Sequence, residues 1–93
     1  MVKPKEFIKE KGISLKNSGV NNYALNKDCV DELLSLLLDR KIPVLGGDVY
    51  TIEENRPKLT HDNWYCAMAT SESREEFAIR SIEKTKKFIL NYP

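Results

Sequence analysis

The 93-residue chain has two cysteines, one histidine and one tryptophan, with four prolines and four glycines. Cys29 and Cys66 stand far apart and form no CxxC pair, and His61 is the single imidazole. A zinc site needs three or four clustered ligands, so no metal is expected, and both thiols read as small reduced hydrophobes. Apolar runs are short as well. A broken leucine cluster holds Leu36-Leu37-Leu38, and the longest uninterrupted run is the six residues WYCAMA from Trp64 to Ala69, against the roughly 20 residues of a membrane-spanning helix. The opening MVKPKEFIKEKG carries charge throughout and no apolar core, so no secretory signal is expected and the cytoplasm is the default compartment. No G-x-S-x-G, no P-loop and no Cys–His signature occurs. The chain therefore shows no recognisable catalytic set and calls for no cofactor.

The net charge of +1 gives no general attraction to nucleic acid. Its distribution is uneven. Residues 1–27 carry six Lys and two Glu, a balance of +4. Residues 28–65 carry five Asp and three Glu against two Lys and two Arg, a balance of −4. Residues 66–93 balance at +1, from five basic and four acidic groups. The acidic centre also holds Tyr50, Trp64 and Tyr65, within the stretch IPVLGGDVYTIEENRPKLTHDNWYC. Acid interleaved with aromatics disfavours phosphate and suits a basic protein partner. Charges that merely solvate outer faces account for the same pattern.

A length of 93 residues fits one domain, 1–93, with a modest core. Pro4 to Lys11 predicts a short helix, with proline in the first turn and Gly12 as a left-handed stop. Phe7 and Ile8 would anchor it. Ile13 to Leu25 is rich in turn formers and reads as irregular. Ile13, Leu15, Val20, Tyr23 and Leu25 are its candidate pins to the core. Asn26 to Arg40 has a capping Asn26 and apolar residues at Val30, Leu33, Leu34, Leu37 and Leu38, spaced for a helix that Pro43 would stop. Ser73 and Glu76 form a capping box ahead of a helix to about Asn91. Its apolar stripe is Ala78, Ile82, Thr85, Ile89 and Tyr92, widened by Phe77 and Phe88.

Between these helices, Val44–Leu45 and Asp48–Ile52 read as extended, and Leu59–His61 and Asn63–Met68 return antiparallel. A two-residue loop at Glu54-Asn55 pairs Tyr50 with Leu59; a four-residue loop pairs Tyr50 with His61. Both put Asp48, Tyr50, Ile52, Leu59, His61, Asn63 and Tyr65 on one face and Val49, Thr51, Thr60, Asp62 and Trp64 on the other. An odd loop would reverse the matching. Neither face is purely apolar, so alternation alone does not choose the core side. Gly46-Gly47 marks a bulge, or a bend where a side chain crosses the backbone. The predicted fold class is α+β: a small antiparallel sheet of two to three strands, hairpin-based, packed on about three helices.

Three site readings follow. His61 with Asp48 across the strands could serve as base and orienting carboxylate, although Cys66 or Ser71 as nucleophile has no supporting motif. An adaptor or structural subunit is the second. The third is a protein-binding surface made of Asp48, Tyr50, Asp62, Trp64 and Tyr65, rimmed by Glu53 and Glu54, because Tyr and Trp offer large contact area at low entropic cost. Trp64 alternatively packs in the core.

The motifs GISLKNSGVNNYAL, IPVLGGDVY and DNWYC, followed by an amphipathic C-terminal helix, resemble the immunity protein 40 family of bacterial polymorphic toxin systems. The resemblance runs from about Gly12 to Tyr92. Asn55 stands at the turn where the family pattern has glycine, and it too tolerates left-handed geometry. The resemblance implies a non-catalytic protein that neutralises a cognate toxin domain by direct binding. It implies neither an active site nor an oligomeric state, and both monomer and homodimer fit.

Overall fold

A computed structural model describes residues 2–93. The elements run α1 (Pro4–Lys11), β1 (Ile13–Ser14), β2 (Tyr23–Ala24), α2 (Lys27–Asp39), β3 (Gly46–Glu53), β4 (Arg56–Tyr65) and α3 (Arg74–Asn91). Strands β1 and β2 pair antiparallel, as do β3 and β4, giving two separate two-stranded sheets. With the three helices this is the expected α+β arrangement. Helix α2 packs against both α1 and α3.

Helix α1 starts on Pro4 and buries Phe7. Gly12 ends it, but not in the left-handed conformation expected: it is extended, at φ −85° and ψ 164°. Glycine is needed there for space. A Cβ would sit 2.5 Å from the Ile8 carbonyl oxygen, which accepts the Gly12 N–H at 2.8 Å. The segment read as irregular forms the β1–β2 ladder around a short 3-10 turn, Lys16–Ser18. Of its five candidate core pins, Leu15 is buried and Leu25 half-buried, whereas Ile13, Val20 and Tyr23 are exposed.

Asn26 caps α2 by accepting the Asp28 N–H at 2.9 Å. The helix ends on its own main chain rather than at Pro43. Lys41 takes a left-handed φ of 55°. The Lys41 N–H then bonds the Leu38 carbonyl at 3.1 Å, and the Ile42 N–H bonds the Leu37 carbonyl at 3.0 Å. This pair of bonds is a Schellman closure with lysine where glycine is usual.

Ser73 and Glu76 form the expected capping box, each side chain accepting the other's backbone N–H. Helix α3 buries Phe77, Ala78, Ser81, Ile82 and Thr85. Ser81 was absent from the apolar stripe for good reason. Its hydroxyl donates to the Ala78 carbonyl and accepts the Val44 N–H at 3.0 Å, tying the link after α2 to α3. Arg80 organises the passage from β4 to α3. It reaches both Glu72 carboxylate oxygens, at 2.6 and 2.7 Å, the Ala67 carbonyl at 2.7 Å and the Cys66 sulfur at 3.3 Å.

The Arg80 guanidinium, helped by the Ala69 N–H, holds the Glu72 carboxyl down at about 2. A carboxylate depressed on folding adds stability at pH above its ordinary value of 4.5, and that contribution is lost as pH falls towards 2. Thermal melts of Glu72→Gln should therefore lie below wild type at pH 7 and converge with it near pH 2; a pH-independent gap would contradict the pairing. At the α2 terminus, Lys41→Gly should raise stability by about 0.5–1 kcal/mol, because glycine takes the left-handed region without a Cβ clash. Chemical denaturation of the two proteins measures it.

Candidate partner-binding surface

The hairpin turns through Glu54 and Asn55, with φ of 50° and 65°. Two successive left-handed residues make the tight turn that matches strand twist, and asparagine supplies the second without glycine. Glu53 faces Arg56 and Tyr50 faces Leu59, the two-residue-loop register. Nearer the body, Asp48 faces Asn63, Gly47 faces Trp64 and Gly46 faces Tyr65. Between these two zones Val49 alone is spanned by Thr60, His61 and Asp62, so β4 gains two residues over β3. His61 takes φ 71° within the slip. The Thr60 hydroxyl donates to the Val49 carbonyl at 2.9 Å and accepts the Asp62 N–H at 3.1 Å, replacing ladder bonds.

An even slip leaves each side chain on its original face. The choice that alternation left open is settled by Trp64, which turns to α3. Its indole N–H donates to the Thr85 hydroxyl at 2.9 Å, and its ring stacks on Phe88 with centroids 4.9 Å apart. Phe88 leans in turn on Tyr92 at 5.7 Å. Tyr92 donates to the Asp62 carboxylate at 2.6 Å, and this bond raises the phenol pKa above its ordinary value. Gly47 lies beneath the indole, where a Cβ would stand 2.8 Å from Cζ2. A side chain does cross the backbone at Gly46-Gly47.

The seven predicted contact residues divide accordingly. Asp48, Tyr50 and Tyr65 share the face turned away from Trp64. Asp48 is exposed, Tyr50 half-buried, and Tyr65 69% exposed. Trp64 is half-buried against α3, and Asp62 is exposed but held by Tyr92. Glu53 and Glu54 are exposed at the tip, where Glu53 pairs with Lys58 at 3.2 Å. The acidity is dispersed, since Asp28, Asp31 and Asp39 of the acidic centre belong to α2. Two residues outside the predicted set, Ile52 and Leu59, share the face of Tyr50 and are 57% and 39% exposed. Their i, i+2 alternation with Tyr50 and Pro57 was the available signal.

Lys84 fixes this face from behind, donating from Nζ to the Tyr65 carbonyl. The Tyr65 backbone is thus held while its ring stays in solvent. The alternative pairing of His61 with Asp48 is not assembled: Asp48 faces Asn63, and no hydrogen bond joins the two side chains among the described residues. No cluster of metal-binding side chains occurs among those residues either.

The sequence pattern of the family described as Immunity protein 40 matches residues 14–93. The chain belongs to that family. The match takes in β2, both longer helices and the whole hairpin, and leaves out α1. No curated protein and no solved structure matches this family member. None of its helices, among the described residues, is long and apolar enough to cross a membrane.

Gly47→Ala in this immunity-family chain should cost about 1–3 kcal/mol, because the added methyl must displace an indole fixed by Thr85 and Phe88. A lowered melting temperature with altered Trp64 fluorescence would bear this out; unchanged melting would mean that the ring yields freely.

Proposed function

We propose that this immunity-family chain neutralises a cognate bacterial toxin in the cytoplasm by direct binding, without catalysis. The hairpin face of Tyr50, Ile52, Leu59 and Tyr65 is its docking surface, with Asp48, Glu53 and Glu54 at the rim. One observation carries the reading. Ile52 and Tyr65, 57% and 69% exposed, lie on a sheet face turned from α3, on a backbone fixed by the Trp64 and Lys84 anchors. Exposed apolar side chains on a rigid support are what a tight interface uses, because little entropy is lost when they are covered. Trp64 and Asp62 hold this face from behind. The rim acids speed encounter with a basic partner.

Co-expression with the toxin encoded beside this gene should restore growth, and the purified proteins should form a stoichiometric complex. Replacing Tyr65 with Ala together with Ile52 with Asp should weaken that complex at least about 30-fold, the loss of a hot spot worth about 2 kcal/mol. The folded state should be intact by circular dichroism, because neither side chain is buried. Undiminished affinity in the double variant would remove this face from the interface.

A further inference from the structure

The two edges of the β3–β4 sheet differ. Hydrogen bonding shows which backbone groups each edge presents. The Leu45 carbonyl accepts the Cys66 N–H at 2.9 Å, and the Val49 carbonyl accepts the Thr60 hydroxyl at 2.9 Å. Backbone groups alternate sides along a strand, so odd-numbered residues of β3 point to β4. The N–H and C=O groups of Asp48, Tyr50 and Ile52 therefore point away, to an edge that no other strand pairs among the described residues. The outer edge of β4 is blunted in three ways. Pro57, opposite Ile52, offers no N–H there; His61 breaks the strand with φ 71°; and Lys58 adds charge. Proline, bulges and lysine are the usual protection of sheet edges. Along Gly46–Glu53, β3 has no proline and no residue of left-handed φ beyond Gly46. Its edge opens on a groove shared with Val30, Leu33 and Leu37 of α2 and with Trp64 and Phe88.

A second copy of the chain fits this edge badly. Opposed residues in an antiparallel ladder must point the same way, so two β3 strands can meet only in alternate registers. In the registers overlapping five or more residues of Gly46–Glu53, Asp48 would face Asp48, Tyr50, Ile52 or Glu54 of the other copy. Each is either another acid or an apolar or aromatic side chain. A strand with lysine or arginine opposite Asp48, and apolar residues opposite Tyr50 and Ile52, satisfies all three positions.

We infer that the free edge of β3 captures an extended segment of the toxin by strand addition, the segment carrying a basic residue opposite Asp48 between apolar neighbours. This rests on the toxin-binding reading above and names the main-chain contact within it. Strand addition draws affinity from main-chain bonds and specificity from alternate side chains.

The test uses the full chain, isotope-labelled, alone and with the toxin domain encoded beside its gene, followed by residue-resolved amide exchange. On complex formation the amides of Asp48, Tyr50 and Ile52 should slow at least about 10-fold. Asp48→Lys should weaken binding at least about 10-fold, while Glu83→Lys, an exposed acid on α3, should change it less than about two-fold. A complex in which the three amides exchange at their free rates would overturn strand addition while leaving toxin binding in place. Slowing that grows with concentration of the chain alone would assign the edge to self-pairing instead. No complex at all would reject the toxin-binding reading, and the strand contact with it.

Discussion

The crossing of the Trp64 indole over Gly47 onto Thr85 and Phe88 is the contact on which the rest of the architecture hangs. An isolated two-stranded hairpin is marginal in water. Here one large ring fastens the hairpin to the longest helix, with a hydrogen bond satisfying its only polar atom and an aromatic stack covering its face. The requirement propagates backwards into the sequence. The ring can take this path only if the facing residue has no side chain, so Trp64 and Gly47 form one unit although seventeen positions separate them.

Two further fastenings keep that unit in register. Lys84 holds the end of β4, and Arg80 gathers Glu72, Ala67 and Cys66 into a closed corner between β4 and α3. A bidentate guanidinium–carboxylate pair is directional as well as attractive, so this corner fixes an angle and not only a distance. Ser81 performs the matching task before the hairpin, holding Val44 against the same helix. Both strands thus enter and leave the hairpin from points fixed on α3. The face turned away from that helix is left without an internal partner yet is not loose.

What the sequence revealed and what it concealed divide along physical lines. The Asn26 cap and the Ser73–Glu76 box were legible because they are local, and so were the helices they begin. The Tyr50–Leu59 register was one of two legible options because an Asn at the turn carries its own backbone preference. The β1–β2 ladder was not legible, since a two-residue strand has no period to detect. The end of α2 near Arg40 was legible, but its closure was not, because Lys41 adopts a conformation that lysine rarely takes. Arg80 and Ser81 gave no signal, as each acts on a partner distant in sequence. At the candidate surface, alternation grouped Asp48, Tyr50 and Tyr65 correctly. It placed Ile52 and Leu59 on the same face but did not mark them as candidates, because the core side of the hairpin was undecided until Trp64 was seen against α3.

The two-residue excess of β4 over β3 has a consequence for how this strand can vary in length. Because side chains alternate, a gain or loss of two residues around Thr60–Asp62 conserves which groups meet the helix and which meet a partner. A single-residue indel there, unless taken up by a bulge, would turn the distal part of β4 over, moving Leu59 to the helix side and Lys58 to the outer one. The parity of a length change in β4, more than its size, therefore decides whether the outer face of the hairpin survives it.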